Sequence, residues 1–262
     1  MIIRKSAREI EAMARAGCVV AEALELMGET IQPGVTTADL DAVAEEHIRA
    51  RGGVPTFKGY RGFPASICAS PNSMVVHGIP GPCRLESGDL ISIDVGVTLG
   101  GFVADSAYTF AVGEIGVDAQ HLLDTCQAAL EAGIAEARAG NRVGAISAAV
   151  QRVTEEAGFS VVRTLVGHGV GRSMHEEPQI PNFGAPGRGP ELAVGMTLAI
   201  EPMINAGGGE VVMAEDGWSI STADGSLSAH FEHTVAITAE GPRILTASSR
   251  LAAGRRTGSL LR

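Results

Sequence analysis

Near the start of the chain, Ile10, Met13, Ala14, Gly17, Val20, Leu24 and Met27 recur at helical spacing and define one apolar face. Ser6 and Glu9 stand ahead of this run as a capping box, and Pro33-Gly34 closes it. A second start signal, Thr36 to Asp39, opens a shorter helix through Leu40, Val43, Ala44 and Ile48, which stops at Gly52-Gly53. Strands and turns follow, centred on an apolar hairpin over 90–112. The plan then recurs. Asp118 can cap a long helix carrying Leu122, Leu123, Cys126, Leu130 and Ile134 that halts near Gly140, and a shorter helix through Ile146, Val150 and Val153 stops at Gly158 before strands resume. Gly34 and Gly140 are 106 positions apart, as are Gly52 and Gly158, and Cys18 lies 108 before Cys126. Two long-helix, short-helix, strand units, about 6–112 and 118–238, predict a duplicated α+β architecture about a pseudo-twofold axis, in one domain over 1–245.

Acids placed inside apolar strand patterns carry the chemistry. The run from Leu90 to Asp105 reads as a strand, a Gly-containing reversal and a returning strand, with Asp94 on one arm and Asp105 on the other. If the reversal is centred on the Leu99-Gly100 bond, the two carboxylates fall directly opposite each other on one face, with Cβ atoms roughly 5 Å apart. Among Ile91, Ile93, Val95 and Val97 two such charges would repel and be poorly solvated unless a cation lay between them. Adding 107 to position 94 gives Glu201, in the apolar run Met196 to Pro202, and Glu232 stands in a further one, Phe231 to Ile237. His168, flanked by Gly167 and Gly169, supplies an imidazole with room for close approach. Four carboxylates and one neutral imidazole can balance two divalent ions, and oxygen-rich ligation with one nitrogen suits Mn(II), Fe(II), Co(II) or Zn(II). Two such ions would acidify a water and polarise a carbonyl, the equipment of an amide hydrolase. His77 and His175, on loops near these strands, are spare histidines that could donate to a substrate amide and to a developing oxyanion. His47, His121, His230 and His233 are read as ordinary histidines, the first two as solvated helix positions.

Composition narrows the remaining classes. The net charge of −10 opposes binding to DNA, and the four arginines after Leu245, unaccompanied by any acid, leave −14 for residues 1–245. That basic segment, 246–262, reads as a disordered tail. The cysteines at 18, 68, 83 and 126 form no CxxC pair, which fits a reducing cytoplasm. The sequence has no secretory signal pattern and no apolar run of about 18 residues, so no membrane span is expected. HExxH, GxSxG and GxxxxGK[ST] are all absent, and the glycines around His168 lack the full dinucleotide spacing.

From about Ile10 to Leu245 the residues resemble the type I methionine aminopeptidases, metallopeptidases of the pita-bread fold. The most specific stretch is Gly167-His168-Gly-Val-Gly-Arg-Ser-Met-His175-Glu-Glu-Pro-Gln-Ile-Pro-Asn182-Phe183, joined by Ser70-Pro-Asn72, Val76-His77-Gly-Ile-Pro80, Ile91-Ser-Ile-Asp94, Ile200-Glu201-Pro-Met and Phe231-Glu232-His-Thr. The resemblance implies His168 and Glu201 on one metal, Asp94 chelating the other, and Asp105 and Glu232 bridging. It places His175 at the substrate carbonyl oxygen, His77 at the scissile amide nitrogen, and Glu201 with them as a catalytic group. The implied reaction removes the initiator methionine from nascent polypeptides whose second residue is small. Tyr60, Phe63, Cys68 and Trp218 match positions lining the methionine pocket, with Phe57 at its edge, whereas Met174 and Leu165 replace aromatics frequent in the family. An altered side-chain fit is therefore expected. The family also implies a bacterial, cytoplasmic, single-domain monomer, and the basic tail suggests affinity for ribosomal RNA. A same-fold aminopeptidase of X-Pro or broader specificity, and a non-catalytic pita-bread binding protein, are the alternatives.

Overall fold

The computed structural model describes residues 1–248, 250 and 251. Four helices carry the two repeats: α1 (Ala7–Thr30), α2 (Thr37–Ala50), α3 (Val117–Glu136) and α4 (Val143–Glu156). The bounds of α2 and α4 differ by 106 at both ends, so the duplication expected from the glycine spacing is present in the helices. The expected capping box at Ser6 forms, and the start signal at Thr36 proves to be a second one. Glu9 N–H donates to Ser6 Oγ and Ser6 N–H to Glu9 Oε2, and Thr36 and Asp39 repeat the exchange. Asp118 does not cap α3. Gly116 holds that position in an extended conformation, and Asp118 lies in the first turn, where its charge opposes the positive end of the helix.

The helices bury their apolar faces on antiparallel sheets. One core gathers α1 and α2 on the hairpin of strands Leu90–Leu99 and Phe102–Ala111, and another gathers α3 and α4 on the second-half strands. The second half builds a five-stranded sheet in the order Gly241–Ile244, His233–Thr238, Thr197–Ile200, Val166–Gly169, Glu176–Pro181. Gly17 lets α1 approach the backbone just after strand Gly241–Ile244, since a Cβ there would lie 2.1 Å from Leu245 O. Thr246 is buried and Ser248 Oγ donates to Glu25 at 2.6 Å, so the packed body extends past Leu245, where the tail was expected to begin. Arg255, Arg256 and Arg262 lie outside the described residues.

The hairpin register differs from the expected one. Leu99 pairs with Phe102, Gly96 with Asp105 and Asp94 with Ala107, so the turn is Gly100-Gly101. Both glycines have positive φ, +59° and +80°, the requirement of the tight turn that matches strand twist. Centring the turn on Leu99 would force a residue with a Cβ into that region. Asp94 and Asp105 thus become diagonal neighbours on one face rather than direct partners.

The two halves meet along a seam of hydroxyl groups. Asp105 N–H donates to Thr234 Oγ1 at 2.9 Å, and that hydroxyl donates back to Asp105 O at 2.8 Å. Thr109 makes the same exchange with the backbone of His230, at 2.9 and 2.8 Å. Glu232 N–H donates to Ala107 O, and Ser106 Oγ donates to Glu232 O.

Candidate active site

A cavity of about 300 Å³ opens over this seam. All five expected metal ligands line it, together with His77 and His175 and every residue expected in the methionine pocket. Asp94 comes from the middle of strand Leu90–Leu99 and Asp105 from its hairpin partner. His168 sits on strand Val166–Gly169 at an irregularity in the pairing with Glu176–Pro181. Glu201 and Glu232 are not within strands, as their apolar surroundings suggested. Glu201 follows Thr197–Ile200 and Glu232 precedes His233–Thr238, and because Ile200 pairs with His233 the same register sets the two acids opposite each other. Pro202 follows at once and has no N–H for a ladder, which interrupts the pairing until Met203 meets His230 in the same register.

Burial sets the electrostatics. Asp105 and Glu232 are each 2% exposed. Burial pushes the Asp94 carboxyl up to about 7. Asp105, Glu201 and Glu232 rise well above the ordinary carboxylate range, through burial first and then through repulsion by one another and by Asp94. Asp94 Oδ1, Asp105 Oδ1 and Glu232 Oε1 are buried with no hydrogen-bond partner among the described residues. His168 is held down to about 4 by burial and the neighbouring His175, so it is neutral near pH 7. Its Nδ1 faces Gly169 O at 2.9 Å, and donation there leaves Nε2 bare, 3.5 Å from Glu201 Oε1 and 3.8 Å from Asp105 Oδ2. Ligand atoms of Asp105, His168 and Glu232 all lie within 4.8 Å of one another. Orphaned, mutually repelling acid oxygens around an imidazole lone pair fit divalent cations and little else.

The spare histidines stand beside this cluster. The rings of His168 and His175 are 4.2 Å apart, and His175 Nδ1 meets Tyr60 OH at 2.9 Å with the rings stacked. Burial, then Arg61, lowers the basicity of His175, and burial, then His175, that of His77. His77 adopts a positive φ of 60°, an uncommon conformation for a side-chain-bearing residue, of the kind retained where surroundings enforce it. The far wall is apolar. Phe63 packs edge-on to Trp218 with centroids 5.2 Å apart, and Phe57 fills the space above Gly96, where a Cβ would lie 2.6 Å from its ring. Met174 packs with these rings, and Leu165 lines the cavity from the neighbouring cluster of Val76 and Met203.

Sequence reasoning missed His230, which is 1% exposed and lines the cavity. Its position two residues before Glu232 was the available signal, since alternate residues of an extended segment share a face. It also missed Lys5, whose Nζ lies 2.5 Å from Glu176 Oε2 with both side chains buried; 171 residues separate the two, and nothing local marks the pair. His47 faces Glu22 at 3.3 Å and is only partly solvated, while His121 is exposed as expected.

The chain matches metallopeptidase family M24 over residues 11–239. A methionine aminopeptidase of Clostridium perfringens is 52% identical over 246 residues, covering 94% of this chain and 99% of its own, and methionine aminopeptidase 1 of Bacillus subtilis is 50% identical with the same coverage. The crystal structure of the Thermotoga maritima methionine aminopeptidase superposes with a TM-score of 0.93 at 44% identity, covering 95% of this chain and all of that one. The pita-bread fold, the acid-lined cavity and the identity along nearly the whole length agree, and the chain belongs to the methionine aminopeptidases of metallopeptidase family M24.

Proposed function

We propose that this chain removes the initiator methionine from nascent polypeptides with a small second residue, using two divalent ions held by Asp94, Asp105, His168, Glu201 and Glu232. The observation that carries the reading is a single cavity lined both by four acids and by an aromatic-rich set of apolar side chains. Four negative charges and a neutral imidazole match two dipositive ions without surplus. When bound, the ions supply Lewis acidity and a water acidified toward neutrality.

The chain's own residues do the rest. The wall of Phe57, Tyr60, Phe63, Cys68, Leu165, Met174 and Trp218 accepts an unbranched thioether side chain, and the ions that the acids would hold can take the lone pair of a neutral free α-amino group beside it. That pairing of an apolar slot with an amine-accepting end selects the first residue of a polypeptide. Glu201 accepts the proton leaving the attacking water. With the Tyr60 hydroxyl donating to Nδ1, His175 keeps its proton on Nε2 and donates to the substrate carbonyl oxygen, and His77 serves the amide nitrogen. One chain contains every one of these groups, so a monomer suffices. The four free cysteines accord with a cytoplasmic site of action, where new chains emerge from the ribosome.

Release of free methionine from Met-Gly-type and X-Pro-type peptides, before and after chelation and with Mn(II), Fe(II), Co(II) or Zn(II) restored, tests the reading. Metal-restored release from the Met peptide is expected. Release from X-Pro peptides alone would overturn the specificity, and no release with any metal would overturn catalysis.

A further inference from the structure

The carboxylate of Glu201 lies between two imidazoles. Its Oε1 is 3.5 Å from His168 Nε2, and its Oε2 is 3.9 Å from Nε2 of His230. The two rings differ in what else they touch. His168 spends its second nitrogen on Gly169 O, whereas His230 has both ring nitrogens buried with no hydrogen-bond partner among the described residues. Its backbone, by contrast, is fully tied to Thr109 on the other half of the molecule. The ring is thus held rigidly in the cavity wall with its hydrogen-bonding capacity unused. Two orphaned buried nitrogens are destabilising, a cost that an apolar side chain of similar volume would avoid.

We propose that His230 is a positioning residue for Glu201: its Nε2–H donates to Oε2 in the metal-loaded enzyme, fixing the carboxylate so that Oε1 faces the ion shared with His168. This rests on the ligand assignment made above. The bare Nε2 of His168 carries no proton for Glu201, so the oxygen that does not face the ion needs a donor from elsewhere. His230 is within 1 Å of ordinary hydrogen-bond distance, a gap that rotation of the Glu201 side chain on metal binding would close. The backbone carbonyl of Glu201 is fixed separately by Asn182 Nδ2 at 3.1 Å, so the rotation leaves the main chain in place. A hydrogen bond of this kind orients a ligating carboxylate and fixes which of its oxygens meets the ion.

Three proteins test it: wild type, His230→Leu, and His230→Gln, whose amide reaches about as far as Nε2. Each is stripped of metal and titrated with Mn(II) by calorimetry, melted in the metal-free state, and assayed with a Met-Gly-type peptide. The Leu variant should bind Mn(II) about 10- to 100-fold more weakly. It should also lose kcat with KM for the peptide unchanged, and its metal-free form should melt no lower than wild type, because two orphaned groups are gone. The Gln variant should recover Mn(II) affinity and kcat to near wild type. A Leu variant with unchanged Mn(II) affinity and kcat overturns the proposal. So does a Gln variant no better than Leu, or a metal-free melting loss in Leu that parallels the activity loss. Wild-type protein that binds no Mn(II) and releases no methionine overturns the ligand assignment itself, a distinct outcome.

Discussion

Replacing Lys5 with methionine should disable the loop that presents His175, although the two residues are 170 positions apart. Lys5 Nζ lies 2.5 Å from Glu176 Oε2, with side chains 3% and 7% exposed. The other oxygen of Glu176 accepts from the N–H groups of Arg172 at 2.9 Å and Ser173 at 3.3 Å, which makes this carboxylate the hub of the turn leading into Met174 and His175. Gly171 is packed so closely that a Cβ would lie 2.4 Å from Lys5 Cε. Methionine keeps the stem and removes the cation. Leaving a buried charge without its partner costs about 3–5 kcal/mol, and the two surviving backbone hydrogen bonds place this case near the lower end. At about 2–4 °C per kcal/mol for a chain of this size, a loss of about 3 kcal/mol lowers Tm by roughly 6–12 °C. If His175 acts as proposed, its displacement by even 1 Å should lower kcat by about 100-fold. Melting of the metal-loaded protein and turnover at 20 °C, where the variant remains folded, measure both. Adding Glu176→Gln to Lys5→Met should restore part of the stability, because the stranded charge is gone. A single variant that melts within 1–2 °C of wild type and keeps its kcat would reduce the pair to the about 0–1 kcal/mol of a surface ion pair and refute the reasoning.

The metal-free protein should lose stability as pH rises from about 6.5 to 8, because its raised carboxyls, Asp94 near 7 and the others well above the ordinary carboxylate range, still hold protons that the unfolded chain has released. The four cavity histidines, all lowered by burial, act in the opposite sense only below their unfolded value of about 6.5. Saturating Mn(II) should abolish the loss; a metal-free Tm that climbs over this interval counts against a desolvated acid cluster. Gly96→Ala places a Cβ 2.6 Å from Phe57, so overpacking of about 1–3 kcal/mol should displace the ring. KM for a Met peptide should then rise while Mn(II) affinity stays put, and an unchanged KM contradicts this account of the wall. Met174→Phe adds a ring to the slot and should sharpen rejection of Leu against Met by about tenfold, as differences near one methylene do. Matched Met, norleucine and Leu peptides measure it, and equal discrimination before and after substitution rules the idea out.

Local signals were legible in the sequence and long-range ones were not. Capping boxes at Ser6 and Thr36 state their own geometry because every participant lies within four residues. The acids at 94, 105, 201 and 232 stood out because each interrupts an apolar pattern that makes a charge unfavourable. The hairpin register slipped because a Gly-Gly pair allows the turn to be drawn one residue either way, and only φ at both glycines decides. His230 hid because an imidazole in an apolar run is commonplace until its neighbours show that both nitrogens lack partners. Lys5 left no trace at all, since its meaning depends on Glu176 at the far end of the fold.

The seam between the halves explains how four acids can be held this close before any ion arrives. A strand residue normally saturates its backbone in a ladder, and the position of its side chain follows the ladder. Here Asp105, Glu232 and His230 saturate theirs across the seam, through Thr234, Ser106 with Ala107, and Thr109. Asp94 and Asp105 therefore come from one half, Glu201 and Glu232 from the other, and the hydroxyls lock the halves at a spacing set by hydrogen bonds about 2.8 Å long. The repulsion among the carboxylates is borne by that lock and by the two cores behind it. A site assembled in this way is preorganised for its cations, because the backbone does not have to move when charge is neutralised, only the carboxylates rotate. Removing one hydroxyl, as in Thr234→Val, would orphan the Asp105 N–H and carbonyl together. Its effect should thus appear in metal affinity as much as in Tm.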